Sequence, residues 1–581
     1  MKKISFLLIA SLFFGLATVT SSAAPIEDEQ WLTPQIQTTS YHGISIQNTG
    51  SSDSTFSDLL AGFFNRDSNP NNFDRYVCTS TSQPDCVGAD NYEYNAILPI
   101  CTTTDQSDCV DSLSAINPDG RVASGVFSKY TIDHHPNNFA PDPKLGIPDN
   151  ANPGIWNIQG APHQFGTEYV VRVSLSGYAF QNGPGTQSLS ADITPVSELA
   201  GGADSQQAKC ETWLDPVRNH YNNRCHNYVT PSDAKYKCAF ALGDYLNGPA
   251  SCLLPHAFPA NTKFSLSVRL KHEPVTWFHG RMDGPEIGVD QLSSGVRLRV
   301  TALPIKVPVA FYGDLWNNLP KPVTDFWNKC ETQASQDFKC AGAGINSDPL
   351  PVRTGTMLLA PFGTSALEAI QALSDVTGNK ATVSPQVWTF NTLASNNSTS
   401  SCFTSGTGVK GIVTTNSTAY SEGPPSFDGT SLNYKVASLH YNPDGSVFRG
   451  SYNLVVRSDV ARCLYKFTNA PIQASISVVS ADGSNNVATT VANEKNGWLY
   501  LSANGFTFSS PTIQVKLSQE APAPTSTASP APVASESPTP APVATKAPTV
   551  AKKLTITCIK GKTIKTVTGV KPVCPTGYKK R

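Results

Sequence analysis

Apolar and polar positions alternate along most of this chain, with the period of two that half-buried strands require. The alternation is strict over residues 169–175, 264–270 and 296–302. It returns where Leu432, Tyr434, Val436 and Ser438 alternate with polar or small neighbours. Tyr441-Asn-Pro-Asp-Gly445 then supplies a turn and residues 448–456 a returning strand. Ile472, Ala474, Ile476 and Val478 continue the period before Asp482-Gly483 turns the chain again. With residues 498–502 and 513–517 this stretch holds at least six strands, for which a sandwich is the natural solution.

Helical periodicity is rare. Ser365-Ala-Leu-Glu368 has the spacing of a capping box, Leu367, Ile370, Leu373 and Val376 share a face, and Gly378 ends the run. A short helix is also expected around residues 56–64. The fold class is therefore mainly β: two β-sandwich-like domains, 166–355 and 356–519, with one short helix in the second. An irregular, disulfide-containing region, 24–165, precedes them.

The first residues read as a signal peptide over 1–23. Lys2 and Lys3 precede an apolar run, and small residues surround a cut after Ala23. No later segment approaches the roughly 20 apolar residues of a membrane span. An exported chain suits its 14 cysteines, which group in sequence as Cys78/Cys86, Cys101/Cys109, Cys210/Cys225, Cys238/Cys252, Cys330/Cys340, Cys402/Cys463 and Cys558/Cys574. Nearest-neighbour pairing is the simplest framework, although spacing alone leaves the connectivity open. No CxxC or HxxxH accompanies them, so a zinc site is disfavoured.

Residues 520–551 contain eight prolines and no aromatic residue, and are otherwise almost all Ala, Thr, Ser and Val. Such a segment forms no core, and a disordered linker is expected, reaching roughly 100 Å at about 3.1 Å per residue. After it, residues 552–581 carry nine Lys or Arg and no acid. Without the tail and the two signal lysines, 32 basic residues face 44 acidic ones. The body is thus strongly acidic and the tail strongly basic, a polarity that concerns partners rather than fold. Residues 554–559 alternate, Gly561-Lys562 can turn and residues 563–570 run back, as a β-hairpin pinned by Cys558 and Cys574 would.

The ending Leu554-Thr-Ile-Thr-Cys-Ile-Lys-Gly-Lys-Thr-Ile-Lys-Thr-Val-Thr-Gly-Val-Lys-Pro-Val-Cys-Pro-Thr-Gly-Tyr-Lys-Lys-Arg581 resembles a basic two-cysteine tail of exported actinobacterial surface proteins, which commonly follows a Pro/Ala/Thr linker. The stretch from Leu432 to Leu517, with Asp459-Val-Ala-Arg-Cys-Leu-Tyr465 and Gly505-Phe-Thr-Phe-Ser-Ser-Pro511, is similar to a domain of uncharacterised surface proteins from the same bacteria. Trp277-Phe-His-Gly-Arg281 is similar to part of that domain. The resemblance implies attachment to the cell envelope and brings no reaction with it.

Chemistry-bearing motifs are sparse. No GxSxG occurs, and every cysteine has a plausible disulfide partner, which disfavours a thiolate nucleophile. Asp133-His-His135, with His163 downstream, is the densest histidine site, but adjacent histidines on a strand diverge and a turn beside Pro136 explains them better. Trp277, His279, Arg281 and Asp283 share one face of an extended strand and could recognise a sugar or an acid. They could equally form a structural ladder with an Arg281–Asp283 pair. Glycoside hydrolysis needs two facing carboxylates, and the pattern singles out neither Glu273, Asp283, Glu286 nor Asp290. Asp-and-Asn-rich spots at 67–74 and 482–486 lack the EF-hand pattern and read as turns.

These observations predict a secreted, cell-surface or wall-associated protein without cofactor or metal, engaged in adhesion, recognition or an envelope-structural role. Its tail residues Lys560, Lys562, Lys565, Lys571, Lys579, Lys580 and Arg581 would bind envelope polyanions or glycans, with salt-sensitive attraction. Nucleic acid is disfavoured by the acidic body, and the oligomeric state is open. The alternative is a secreted carbohydrate-active hydrolase.

Overall fold

The computed structural model describes residues 27–519, apart from 35–38, 48–55, 65–72, 133–136, 201–206, 216–219, 230–238, 243–250, 334–353, 394–400, 405–407, 469–471, 480–484, 488 and 509–511, together with parts of 554–580. Two compact units are present, Met1–Ala521 and Pro522–Arg581.

The first unit is mainly β and is organised by one 16-stranded sheet. Its central path runs Phe73–Val77, Asp58–Phe64, Asn91–Ile97, Glu168–Phe180, Gly183–Ala200, Gln386–Thr392, Trp277–Arg281, Gly411–Thr415, Gly450–Arg457, Trp498–Phe506 and Thr489–Lys495. The strand expected at 169–175 is the middle of a longer one, and those at 264–270 and 296–302 are present nearly as read. Residues 56–64 correct the expected helix: Asp58–Phe64 is a strand, with Leu59, Ala61 and Phe63 buried on one side. Alternate burial decided its conformation, as P-less short apolar runs allow either structure.

One face of this sheet is covered along its middle by a five-stranded sheet ordered Asp283–Leu292, Gly295–Leu303, Lys263–Leu270, Cys109–Ile116 and Val122–Ser124. Val171, Val173, Leu175, Leu189, Ala191 and Ile193 meet Leu113, Leu266, Val268, Leu298 and Val300 between them. On the opposite face Ile155, Val170, Val196, Phe240 and Leu253 form a small buried cluster, and a further sheet covers the Trp498–Phe506 end. There the six-stranded sheet built on Leu432–Ala437, Thr512–Gln519 and Ile472–Val479 supplies Tyr434, Val436, Ile476, Val478, Ile513 and Val515. One sheet therefore serves two sandwiches, on opposite faces.

Strand pairings cross both positions expected as boundaries, 165/166 and 355/356. Trp277–Arg281 pairs antiparallel with Gln386–Thr392 and parallel with Gly411–Thr415, and Asn91–Ile97 pairs with Glu168–Phe180. Sequence-distant strands interleave because each supplies an apolar face to the same two cores. The returning strand expected after Tyr441–Gly445 also differs. Leu432–Ala437 lies in the six-stranded sheet and Gly450–Arg457 in the large one, so the turn carries the chain between sheets instead of closing a hairpin.

Four α-helices occur among the described residues, and of the two short helices expected only the one at Thr364–Val376 is among them. Thr364–Val376 buries Ala366, Ala369, Ile370 and Leu373, with Leu367 and Val376 only partly covered. Its N-cap is Gly363 rather than Ser365, which is buried within the first turn. Gly378 follows in the left-handed region at φ 61°, as a helix-terminating glycine should. This helix and Lys321–Gln333 share a core with a three-stranded sheet, Ala310–Leu315, Tyr41–Ile46 and Gly355–Leu359. Ser401–Thr404 and Ser458–Tyr465 are joined by the Cys402–Cys463 disulfide.

Cys78–Cys86 and Cys101–Cys109 are also bonded as nearest neighbours. Cys252, Cys330 and Cys574 are disulfide-bonded, and no described cysteine is free. Cys210 and Cys225 sit opposite one another in the Gln207–Asp215/His220–Val229 hairpin. Cys238 and Cys340 lie outside the described residues. In the second unit, Leu554–Lys560 pairs antiparallel with Thr563–Gly569 and with Lys579–Lys580.

Candidate functional site

The uncovered end of the large sheet is where polar side chains converge. Rows across its strands follow from the register. Asp58 stands opposite Asn95, Asn95 opposite Ser176, and Ser176 opposite Ser188. In the next row Leu60, Glu93 and Tyr178 are neighbours, and beyond it Gly62, Asn91 and Phe180. Alternation puts all of these on one face. The opposite-pointing Tyr92, Tyr94 and Ala96 are buried in a core with Leu59, Ala61 and Phe63. That core, backed by the Cys78–Cys86 disulfide, fixes the strands that display the polar rows.

The result is an open depression of about 390 Å³, lined by Asp58, Glu93, Asn95, Ser176, Tyr178 and Ser188 among others. Tyr178 and Phe180 remain 40% and 47% exposed on the same face, large rings with part of their surface open to solvent. Asp58 is half-buried, and burial, aided by the Glu93 charge, pushes its carboxyl up to about 6. Glu93 is met by Arg75, with Nη2 3.1 Å from Oε2. Asp58 and Glu93 occupy diagonal positions on adjacent strands.

The same face is closed at its other end, and the expected set at 277–283 lies there. Its rows are continuous with the open ones: Arg172, Asp192, Thr389 and Arg281 are successive neighbours across four strands. Arg172 and Asp192 form a buried ion pair at 2.7 Å. Trp277, His279 and Arg281 are buried beneath the six-stranded sheet. The Arg281 guanidinium donates to the carbonyls of Thr415 at 3.0 Å, Ser417 at 2.6 Å and Thr418 at 3.3 Å, and lies 4.4 Å from the centroid of the Tyr420 ring. His279 stacks on Tyr420 at 3.7 Å, and burial beside Arg281 holds its imidazole neutral. The expected Arg281–Asp283 pair gives way to other partners, since Asp283 accepts from Asn453 Nδ2 at 2.9 Å. Trp277, His279 and Arg281 share a strand face, which is interior, whereas Asp283 begins the next strand, Asp283–Leu292, in the five-stranded sheet and is not part of that face.

The other acids considered are also occupied. Glu273 accepts from the Val409 amide, Glu286 pairs with Lys263, and Asp290 pairs with Arg299. Asp133, His134 and His135 lie outside the described residues, as do 67–72 and 482–484. His163 is placed, with Nε2 3.1 Å from the Glu168 carbonyl. Among the described residues no group of three or more His, Cys, Asp or Glu is arranged to hold a metal. Of the tail cations, Lys560, Lys565, Lys579 and Lys580 lie on strands, with Lys565, Cys558 and Lys580 in one row. Lys562, Lys571 and Arg581 lie outside the described residues.

Sequence reasoning passed over Asp58, Glu93, Tyr178 and Phe180. One signal was available in Asn91-Tyr-Glu-Tyr-Asn-Ala96, a strict alternation that puts Glu93 on a polar face. No protein-family model, curated protein or solved structure matches the chain. No helix among the described residues is long and apolar enough to cross a membrane.

Proposed function

We propose that this chain is an exported, envelope-associated recognition protein that binds a hydroxyl-rich glycan on the open end of its large sheet. The observation that carries the reading is the Asp58–Asn95–Ser176–Ser188 row beside exposed Tyr178 and Phe180. Carboxylate, amide and hydroxyl groups in a row can exchange hydrogen bonds with successive sugar hydroxyls. Exposed rings give the apolar faces of sugar rings a surface to stack on. A shallow, open depression suits an extended chain better than a small enclosed molecule. The basic tail serves as the envelope contact, and the linker sets the distance, in keeping with the resemblance to actinobacterial surface proteins.

Calorimetric titration of the full mature chain with soluble wall oligosaccharides tests this. Tyr178→Ala and Phe180→Ala should each weaken binding about 5- to 10-fold, from aromatic contacts of roughly 1 kcal/mol. Unchanged affinity in both variants rejects the site. Lys565→Gln/Lys579→Gln/Lys580→Gln in the full chain should make retention on isolated walls fail at lower salt; equal retention rejects the tail as the anchor.

The hydrolase reading is favoured by one observation, the raised acid Asp58 on the strand beside Glu93. Two carboxyls at diagonal positions on adjacent strands, one of them holding its proton to higher pH, are the kind of pair that glycoside hydrolysis calls on. New reducing ends released by wild type and not by Asp58→Asn would put that reading first.

A further inference from the structure

Some distance along the strand that lines the depression, three side chains from remote parts of the chain meet. Ser197 Oγ lies 2.7 Å from His256 Nε2, and His256 Nδ1 lies 3.1 Å from Glu27 Oε2. Ser197 is near the end of Gly183–Ala200, paired opposite Leu254 of Ser251–Pro255, and His256 directly follows that second strand. The His256 amide donates to the Pro195 carbonyl at 2.9 Å, which fixes the imidazole beside Ser197. His256 is 5% exposed and Ser197 is intermediate in burial, so the base is sheltered beside a residue that reaches the surface.

Glu27 arrives from the opposite direction. It is the N-cap of the short 3-10 turn Asp28–Gln30: the Gln30 amide donates to the Glu27 carbonyl at 2.9 Å, and no side-chain capping bond engages its carboxylate. Glu29 accepts from the Gln386 amide at 2.9 Å, and Gln30 Nε2 donates to the Pro255 carbonyl. The carboxylate of Glu27 is thus left to orient His256. With Nδ1–H donated to Glu27, Nε2 is the acceptor for the Ser197 hydroxyl, which is the tautomer a general base needs. The Phe165 ring, half exposed, stacks on the imidazole at 4.2 Å and forms an apolar wall over it. His163 stacks at 5.7 Å, with its own ring nitrogen turned to the Glu168 carbonyl, so it does not compete for Ser197.

We infer that Ser197, His256 and Glu27 form a Ser–His–Glu triad that cleaves carboxylic esters, a site separate from the glycan face. Ser197 Oγ attacks the acyl carbon while its proton passes to His256 Nε2. The bond from that carbon to the alcohol oxygen breaks, and the alcohol leaves with the proton from Nε2. Water then attacks the acyl-serine, giving its proton to Nε2; the acid departs and the proton returns to Ser197 Oγ. Ser197 is the nucleophile, His256 the acid–base and Glu27 a positioning residue. Same-face alternation and short motifs could not reveal this set, because the hydrogen bonds span 59 and 229 positions.

The test uses the full mature chain, a fluorophosphonate probe with peptide mapping by mass spectrometry, and p-nitrophenyl acetate turnover. The expected result is covalent label on Ser197, absent in Ser197→Ala, with turnover lowered about 10²–10⁴-fold by Ser197→Ala or His256→Gln. Glu27→Gln should lose most of the rate and Glu27→Asp recover part of it, with melting temperatures unchanged. Failure of the folded wild type to take label at Ser197 overturns the triad, as does turnover that Ser197→Ala leaves intact. Loss of label in Ser197→Ala with oligosaccharide binding retained separates this activity from the glycan face.

Discussion

The two ends of the large sheet present the same face to opposite environments. At one end Arg281 and His279 are roofed by the six-stranded sheet and spend their polar groups on Thr415, Ser417, Thr418 and Tyr420. At the other, Asp58, Glu93 and Asn95 occupy equivalent pleat positions over which the described residues place no second sheet, flanked by partly exposed rings. The same register thus yields a structural brace where it is covered and a candidate recognition surface where it is open. Residue type alone does not assign the role. An arginine and a histidine look more like chemistry than an asparagine and a serine, yet burial reverses the order. Under a closed roof a polar group is out of a ligand's reach whatever its residue type, even where, as at His279 Nε2 and Arg281 Nε, it has no hydrogen-bond partner.

The comparison is broken most severely at the covered end. Arg281→Ala removes a guanidinium from three buried carbonyls and opens a cavity beside Tyr420, at a cost of about 3–5 kcal/mol. Arg281→Lys should recover little, because an ammonium cannot reproduce the planar fork. Midpoints in denaturant titrations measure both; a loss below about 1 kcal/mol would mean that the brace carries no load.

Disulfide removal should divide the two ends next. Cys402–Cys463 closes 61 residues near the covered end, and Cys78–Cys86 closes 8 behind the open end. Loop-closure entropy gives about 4 kcal/mol for the first and about 2.5 for the second. Paired Cys→Ser variants should therefore melt in that order. Equal losses would place the stabilisation in native packing rather than in the unfolded chain.

The β class, the strands at 169–175, 264–270 and 296–302, and the tail hairpin were legible because alternation reports one-sided burial directly. What the pattern could not report was which sheet a strand joins. Residues 432–438 and 448–456 look like a hairpin, but each has a better apolar partner in a different sheet, and the turn between them is silent about that choice. Asp58 was hidden for a related reason: Leu59, Leu60, Phe63 and Phe64 fit a helical or an extended reading alike, and only the extended one shows its carboxyl to Glu93. Trp277, His279 and Arg281 do share a face, but the chain changes sheets before Asp283, and the partners of that face are remote, as the Arg281–Thr415 separation of 134 illustrates.

Asp58 sharpens the comparison by pH. Its carboxyl is held at about 6, above the ordinary 3.8, so the fold binds this proton more tightly than the unfolded chain does. On this account stability is full below about pH 4 and is lost as pH rises through about 6. Asp58→Asn should therefore stabilise the chain at pH 7 by on the order of 1–2 kcal/mol and change nothing at pH 3.5. Melting curves at the two pH values check it. A destabilised Asn variant at pH 7 would show that ionised Asp58 has a favourable partner.

The smallest effect on stability should come from Phe180, and it is the most informative about the open end. The ring is 47% exposed and opposite Asn91, so Phe180→Ser removes little buried area and should move stability by no more than about 0.5 kcal/mol. Glycan affinity should nonetheless fall, since the ring's only unfilled surface faces solvent beside the depression. A stable variant that no longer binds means the exposed ring is kept for a ligand. A variant that binds normally leaves the aromatic as one of the scattered apolar groups common on protein surfaces, and moves the recognition site away from this face.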